Sequence, residues 1–414
     1  MKVFKFGGAS LKNASAIQNM ASIVQAYADS PLVVVVSAMG KTTNALESIL
    51  NTFKKGGDYK SEIQALKEYH YDICGNLFED ADPIRKKLDL VMDELTENLQ
   101  TPGEYDQVYD QVISLGEVIS SVIVSYYLSQ QGLPCVWLDA RKYIITDTAF
   151  REGKVDWKKT EEHIHQLKAD LQHNIILTQG FIGSNELGFT TTLGREGSDY
   201  TAAIFASCLQ AESVTIWKDV PGVMSADPKR LPGAIVFDEL PYTEAAEMTY
   251  YGASVIHPKT IKPLALKQIP LYVKSFDDHT LPGTKIHECR IEKLPPLIVF
   301  KDNQCLLSCR VTDYTFINEE QMSIIFNALA DLDIKVNVMQ NSAISFSFCI
   351  DFRESKLNHL LDRLQQYFEV YYNTGLTLIT VKNYDAETFD TYRKKPGILI
   401  EQSSRSTLQV LLKL

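Results

Sequence analysis

Cysteine is scarce in this sequence, and long apolar runs are missing. The 414 residues include seven cysteines, with no CxxC pair and no histidine at zinc-finger spacing. We therefore expect reduced thiols, with neither disulfides nor protein ligands for a metal. No run of about 18 consecutive apolar residues is present, and the first residues have the pattern of a strand and not of a secretory leader. These features predict a cytoplasmic protein without a membrane-spanning helix.

Positive charge is also in deficit. Asp and Glu number 52 against 41 Lys and Arg, which gives a formal net charge of −11. Nucleic acids and anionic membranes are therefore disfavoured as partners, although a local cationic site for a small anion is compatible with this charge. Hydrophobic residues make up 45% of the chain, as in ordinary globular proteins, and the length predicts two or three domains.

The chain lacks a complete P-loop, although VVVVSAMGKTTN at 33–44 leads an apolar strand into GKTT. The phosphate-binding motif needs a first glycine at the position of Val35, because the backbone must turn back and point its N–H groups at the phosphates. Val is β-branched and suits a strand instead. We interpret the stretch as a strand followed by a loop with a different role.

Strand and helix patterns alternate over the first two thirds of the chain. VFKFGG is followed by a helical spacing of apolar residues and then by LVVVVS, which is the order of a βαβ unit. Residues 43–131 are predicted to be mainly helical, and further strands are predicted at 135–139, 174–183, 213–220 and 270–276. The fold class is therefore α/β, with a mostly parallel central sheet between layers of helices.

The pattern changes after Pro295 and Pro296. Short strands and two helices, at 319–332 and 354–367, follow in the order βαββαβ of a ferredoxin-like domain. A second copy without its closing helix is predicted from 376 onwards, and the strand at 296–302 is expected to complete its sheet from the other side.

Two glycine-containing segments have the chemistry of an anion site. In KFGGAS, Gly7 and Gly8 allow close approach of a phosphate at the end of the first strand, and Lys5 supplies a positive charge; a tight structural turn is the alternative. In TTTLGREGSDYTAA, Arg195 is suited to a carboxylate, and Ser198 and Asp199 are expected to cap the following helix. A plain N-cap beside a solvated arginine is the alternative there.

Two further segments add charged candidates. Glu117 interrupts the apolar helix ISLGEVISS, so it needs a partner if buried; a substrate ammonium is one, and an exposed helix surface is the alternative. The segment VTIWKDVPGVMSADPKR is a strand followed by a long turn, suited to lining a nucleotide, and it contains Lys218, Asp219, Asp227 and Lys229.

Taken in order, the motifs KFGGAS, SAMGKTTN, LGE, GFIG, TTTLGREGSDYTAA, WKDVPGVMSADP, EAAEM and GASVIHP resemble those of the aspartokinases, a group within the amino acid kinase family. The resemblance implies a three-layer amino acid kinase domain over 1–292. It also implies two regulatory ACT domains, at 297–375 and, truncated, at 376–414.

The resemblance implies a role for individual residues. It assigns Lys5 and Asp199 to catalysis, with Asp199 organising the lysine, Arg195 to the α-carboxylate of aspartate and Glu117 to its α-ammonium. It places Ser37, Ala38, Thr43, Phe181 and Ser198 in the amino-acid pocket, and Lys5, Gly7, Gly8, Ser10, Lys218, Asp219, Met224 and Lys229 at the nucleotide. Met224, Lys229 and Ser254 depart from the family pattern on the nucleotide side, where Lys218 or Lys259 are expected to compensate.

The implied activity is transfer of the γ-phosphoryl group of ATP to the β-carboxylate of L-aspartate, the first step towards lysine, threonine and methionine. Mg²⁺ is expected to arrive mainly on the nucleotide. Lysine or threonine is the expected effector at the ACT region, and the chain is expected to form a homodimer or a larger homo-oligomer. The rival interpretation is a non-catalytic amino-acid sensor on a relic kinase fold.

Overall fold

The computed structural model describes residues 1–168, 171, 175–253, 256–312 and 315–413. The chain forms two compact units. The first comprises Met1–Val223, Val236–Ala246 and Val255–Arg290, and the second comprises Met224–Ile235, Glu247–Ser254 and Ile291–Leu414.

The first unit is built on an eight-stranded sheet. Its strands and those of a small neighbouring sheet are β1 (Lys2–Phe6), β2 (Leu32–Val36), β3 (Cys135–Leu138), β4 (Ile145–Thr146), β5 (Ile175–Gln179), β6 (Ile182–Asn185), β7 (Thr190–Thr192), β8 (Ser213–Lys218), β9 (Glu239–Pro241), β10 (Leu271–Ser275) and β11 (Thr284–His287). The large sheet has the order β3-β5-β2-β1-β8-β10-β11-β9, and the small one the order β4-β6-β7. In the large sheet only the β10–β11 pair is antiparallel.

Helices cover the sheet and form a subdomain after β2. They are α1 (Ala14–Gln25), α2 (Thr42–Lys54), α3 (Tyr59–Leu77), α4 (Asp82–Gln100), α5 (Tyr105–Ile113), α6 (Leu115–Gln130), α7 (Trp157–His165), α8 (Gly197–Leu209), α9 (Tyr242–Tyr250) and α10 (Pro258–Leu266). Within the described residues, short 3-10 helices lie at Gly8–Leu11, Ala140–Lys142 and Gln166–Lys168.

The continuously apolar strands of the sequence lie in the core of the first unit. All five residues of β2 are buried, as expected for a parallel strand covered on both faces. On β1 and β8, Phe6 and Trp217 stack with ring centroids 6.1 Å apart. The helical run Tyr105–Gln130 is long and apolar enough to cross a membrane by length and composition, but 83% of its apolar window is buried inside the fold, as in a core helix of a globular protein.

The second unit contains one six-stranded antiparallel sheet. Its strands are β12 (Leu297–Arg310), β13 (Val336–Asn341), β14 (Ser345–Asp351), β15 (Glu369–Lys382), β16 (Ile398–Ser403) and β17 (Thr407–Leu412), in the order β13-β14-β12-β15-β17-β16. Three helices accompany it: α11 (Glu319–Asp331), α12 (Glu354–Leu364) and α13 (Ala386–Arg393).

The predicted α/β class and the additional ferredoxin-like region are confirmed, with two differences in the strands. The segment 174–183 is not one strand, because the chain turns at Gly180 and at Phe181, whose φ is 69°. The strand expected at 296–302 and the first strand of the ferredoxin-like pattern are instead one strand, β12, with irregular pairing between Lys301 and Gln304. β12 pairs with β15 along its whole length, so both predicted repeats share a single sheet.

Candidate active site

The site lies where the parallel strands of the first unit end. The carboxyl ends of β1, β2 and β5 lie side by side, and loops continue from them at Gly7, Ser37 and Gly180. Ser37 N–H donates to the Phe6 carbonyl at 3.1 Å, and Gly180 N–H donates to the Val36 carbonyl at 2.8 Å. This edge of an open α/β sheet is the usual place for a ligand.

The loops after β1 and β2 touch through their backbones. Gly40 N–H donates to the Gly8 carbonyl at 3.0 Å, and a Cβ added at Gly8 would lie 2.6 Å from the carbonyl oxygen of Ala38. Gly8 therefore has no room for a side chain. A Cβ on Gly7 would lie 3.5 Å from Lys5 Nζ, which places the Gly7 backbone beside the lysine charge. The two glycines form a bare backbone surface suited to a phosphate.

Lys5 and Asp199 form the central ion pair of the site. Lys5 Nζ lies 2.6 Å from Asp199 Oδ1, and their side chains are 12% and 2% exposed. Asp199 belongs to the first turn of α8, but it does not cap this helix as expected. The N-cap is Glu196, with a left-handed φ of 53° and no side-chain capping bond. The capping prediction for Ser198 and Asp199 was wrong, because the Asp199 carboxylate is engaged by Lys5.

Glu117 is buried and not on an exposed helix surface. It is 4% exposed on α6, and its Oε2 has no hydrogen-bond partner within the described part of the chain. Burial raises the pKa of Glu117 to about 8, against the opposing effects of the Lys5 charge and a hydrogen bond from the Ala38 backbone. A buried carboxylate oxygen without a partner is costly, and a ligand ammonium would satisfy it.

The remaining amino-acid-side residues surround this core. Phe181 N–H donates to Thr201 Oγ1 at 3.0 Å, and a Cβ added at Gly197 would lie 2.7 Å from the Phe181 ring. Ser198 packs so closely on Gly180 that a Cβ added there would lie 2.4 Å from the Ser198 Cβ. Ser37, Ala38 and Thr43 follow β2; Ala38 is buried, and Ser37 and Thr43 are half-buried. Arg195 is exposed in the turn that precedes α8.

The predicted nucleotide-side residues are more dispersed. Ser10 is buried in the 3-10 helix after Gly8, and Lys218 and Asp219 stand at the end of β8, next to β1 in the sheet. Met224 and Lys229 belong to the second unit, where Met224 is half-buried and Lys229 exposed. Lys259 is exposed on α10, and Ser254 lies outside the described residues.

The sequence interpretation missed buried polar groups around the site. Thr42, beside the predicted Thr43, lies 3.2 Å from His70 through Oγ1 and Nε2, and burial lowers the pKa of His70 to about 4. Asp110 on α5 is fully buried. It accepts hydrogen bonds from the Arg151 backbone and from the backbone and hydroxyl of Thr192, which lies three residues before Arg195. Its position among Val108, Val112 and Ile113 was the available signal, the same one that singled out Glu117.

A group with ligand-type side chains lies elsewhere in the first unit. Atoms of Glu239, His287 and Cys289 are all within 4.8 Å of one another. His287 Nε2 is 2.9 Å from Glu239 Oε2. Glu239 is exposed, and exposed pairs of this kind are common without a metal, so the group alone assigns no metal site.

Comparison with known proteins agrees with this geometry. The model of the amino acid kinase family matches residues 1–275. The chain belongs to the amino acid kinase family. Within this family it is 32% identical over 355 residues to lysine-sensitive aspartokinase 3 of Escherichia coli, covering 84% of this chain and 78% of that protein. The resemblance to aspartokinases is confirmed.

Other aspartokinases are similar to this chain in sequence and in structure. A chloroplastic bifunctional aspartokinase/homoserine dehydrogenase of Daucus carota is 29% identical over 96% of this chain, which spans only 45% of that relative. The structure of E. coli aspartokinase III in complex with aspartate and ADP matches with a TM-score of 0.86 and 29% identity, over 100% of this chain and 96% of that one. The same enzyme in complex with lysine and aspartate matches with a TM-score of 0.85 and 28% identity.

Proposed function

We propose that this chain is an ATP-dependent aspartate kinase that converts L-aspartate and ATP to 4-phospho-L-aspartate and ADP. The observation that carries the proposal is the ion pair between Lys5, at the end of β1, and the buried Asp199. Lys5 is close enough to Glu117 for its charge to affect the pKa of Glu117. A positive charge for a phosphoryl group and a carboxylate oxygen without a partner, Glu117 Oε2, are thereby present in one site.

The α-groups of aspartate have complementary partners in this site. Glu117 Oε2 accepts the α-ammonium, which supplies the hydrogen bond that this buried oxygen lacks. Arg195 binds the α-carboxylate, since a guanidinium matches a carboxylate with two parallel hydrogen bonds. We propose that the amino-acid pocket between them is lined by Ser37, Ala38, Thr43, Phe181 and Ser198.

The chemistry needs no general base. The β-carboxylate of aspartate has an ordinary pKa of about 4 and is ionised at neutral pH. Catalysis therefore consists of bringing two anions into line and neutralising their charge. Lys5 places its ammonium on the transferring group, Asp199 holds Lys5 in place, and the Gly7 and Gly8 backbone approaches the phosphate without obstruction.

The nucleotide is proposed to extend from this glycine turn. The turn fits a phosphate chain, because a side chain at Gly8 would collide with the Ala38 carbonyl. Ser10, Lys218, Asp219, Met224 and Lys229 are the proposed nucleotide contacts, as the resemblance to the aspartokinases implies. Mg²⁺ is proposed to be carried by the nucleotide and to neutralise its phosphates.

Turnover with defined acceptors tests the proposal. ADP release from Mg·ATP should require L-aspartate, with L-glutamate, N-acetylglutamate and UMP giving rates near the background hydrolysis rate. Asp199→Asn keeps the shape of the side chain but removes the charge that holds Lys5, so it should lower the rate with L-aspartate. Turnover confined to another acceptor would replace aspartate as the substrate, and no turnover with any acceptor would favour a sensor.

The second unit is proposed to regulate the first. We propose a catalytic domain at 1–292 and ACT domains at 297–375 and 376–414 that bind lysine or threonine, in a homodimeric, cytoplasmic enzyme. Lysine is the first effector to test, because the E. coli relative is lysine-sensitive by name. Isothermal titration should show heat with one of the two amino acids, together with loss of ADP release. Absence of heat with both would refute this regulation.

A further inference from the structure

Asp110 connects the two proposed binding groups for aspartate. It lies on α5, which is separated from α6 only by Ser114, and Glu117 is in the first turn of α6. The backbone joins them directly, since Ser114 N–H donates to the Asp110 carbonyl at 3.2 Å and Glu117 N–H donates to the Ser114 carbonyl at 3.1 Å. A shift of Asp110 along this run would therefore be transmitted to Glu117.

On its other side, Asp110 binds the segments beneath Arg195. Its Oδ2 accepts the backbone N–H groups of Arg151 and Thr192, both at 2.8 Å, and its Oδ1 accepts the Thr192 hydroxyl at 2.8 Å. Thr192 ends β7, and only Leu193 and Gly194 separate it from Arg195. The carboxylate is fully buried, so these three donors take the place of water.

The loop that contains Arg151 lies directly against the turn that contains Gly194 and Arg195. A Cβ added at Gly194 would lie 3.2 Å from Glu152 Cγ and 3.3 Å from the Arg151 carbonyl oxygen. Arg151 has a left-handed φ of 66°, which is unfavourable for a residue with a side chain. The hydrogen bond from its N–H to Asp110 opposes relaxation of this backbone. The Asp110 carboxylate therefore holds both the Arg151 loop and the end of β7 that leads to Arg195.

We infer that Asp110 is a positioning residue for substrate recognition, and this rests on the proposed function. Its carboxylate fixes the Arg195 turn relative to the Glu117 helix and so sets the distance between the α-carboxylate and α-ammonium sites. Its carboxylate is fully buried and bound by protein donors, so we assign it a positioning role and no direct contact with the ligands. Loss of its hydrogen bonds therefore weakens aspartate binding selectively.

The test separates aspartate binding from ATP binding. In Asp110→Asn, the KM for aspartate should rise about tenfold or more, while the KM for ATP should change less than about twofold, because only the aspartate groups depend on the turn. Asp147→Asn is the matched control, because Asp147 accepts the N–H groups of Ala149 and Lys154 in the same loop but none from Thr192. It should leave both constants unchanged.

A second pair of variants changes the structure less, so it tests the positioning role even if Asp110→Asn misfolds. Thr192→Val removes only the hydroxyl bond to Asp110 and should raise the aspartate KM about threefold. Thr191→Val removes a hydroxyl contact on the opposite face of β7, 2.7 Å from Thr146, and should leave the aspartate KM unchanged.

The outcomes distinguish the inference from the proposed function. If wild-type protein does not turn over aspartate, the proposed function fails and the inference fails with it. If wild-type protein is active but Asp110→Asn and Thr192→Val leave the aspartate KM unchanged, or change the aspartate and ATP KM values together, only the positioning role of Asp110 is refuted. A lower melting temperature with unchanged KM values would show a purely structural residue.

Discussion

Lys5 has its strongest effect on the charge that develops during phosphoryl transfer. Lys5→Met should lower kcat by about 10³-fold, because a buried cation preorganised at the reacting group stabilises the transition state more than the bound substrate. The aspartate KM should change little. Steady-state kinetics of ADP release measure both constants.

Lys2 provides the control on the same strand, since it contacts Tyr27 and not the site. Lys2→Met should retain wild-type kcat. A near-normal kcat for Lys5→Met would show that Lys5 has no catalytic role.

The pKa of Glu117 makes aspartate capture depend on pH. Because the pKa of Glu117 is about 8 in the folded protein, the free enzyme at neutral pH holds it mostly protonated. The ionised form binds the ammonium, so kcat/KM for aspartate should rise as the pH increases through about 8 and then level off. Glu117→Gln should raise the aspartate KM about 100-fold and abolish this rise. A pH-independent wild-type enzyme would contradict this.

The raised pKa of Glu117 also affects stability: ionisation at higher pH favours aspartate binding but destabilises the folded protein. Glu117 would ionise near its ordinary value of 4.5 in the unfolded chain and near 8 in the folded one, so the folded state binds more protons between these values. Stability should therefore fall as the pH rises through this window. Glu117→Gln cannot ionise and should melt higher than wild type by a few degrees at about pH 9, with less difference at about pH 5. Calorimetry at both pH values tests the sign.

At the scale of elements, the close approach of two turns defines the phosphate surface. Gly8→Ala would force a Cβ to within 2.6 Å of the Ala38 carbonyl and would separate the turns after β1 and β2. We expect kcat/KM for ATP to fall about 100-fold, because displacement of the reacting groups is costly. The control is Gly233→Ala, where an added Cβ meets nothing within 4 Å. Equal activities of the two variants would refute this close-contact role.

The elements also show how much the sequence predicted. The patterns of apolar residues were sufficient for β1, α1 and β2, since each segment has one clear pattern and the two strands are neighbours in the sheet. The fusion of two predicted strands into β12 was not predictable, because the chain stays paired through the irregularity near Asn303, whose φ is 55°. Local propensity indicates a break there, and pairing with β15 overrides it.

The site shows the same limit. Lys5, Gly8 and Glu117 were visible because glycine and charge stand out against apolar surroundings. The engagement of Asp199 by Lys5 instead of by its own helix was not visible, because local capping rules do not include a partner about 190 residues away in sequence. Long-range contacts of this kind are fixed by the sheet order.

At the scale of the whole molecule, the cysteines behave as core residues. The seven residues are free, and burial raises the pKa of Cys74, Cys208, Cys309 and Cys349 to about 12. Cys135 and Cys289 are half-buried, but Cys135 packs against the core, and burial raises its pKa to about 11. A thiol reagent at about pH 8 should label about one thiol per native chain, because buried thiols are neither ionised nor accessible.

Cys289→Ser should remove this fast labelling, and unfolding in denaturant should expose the remaining thiols. Cys305→Ser is the matched control, because Cys305 is fully buried. Rapid labelling of several thiols in the native protein would contradict the burial of these cysteines inside each unit.

The measurement that tests the central claim most directly is capture of the acyl phosphate with hydroxylamine. Incubation with Mg·ATP, L-aspartate and hydroxylamine should give β-aspartyl hydroxamate in amounts equal to the ADP released, and Lys5→Met should reduce both together. ADP release without hydroxamate would show that the β-carboxylate of aspartate is not the phosphoryl acceptor.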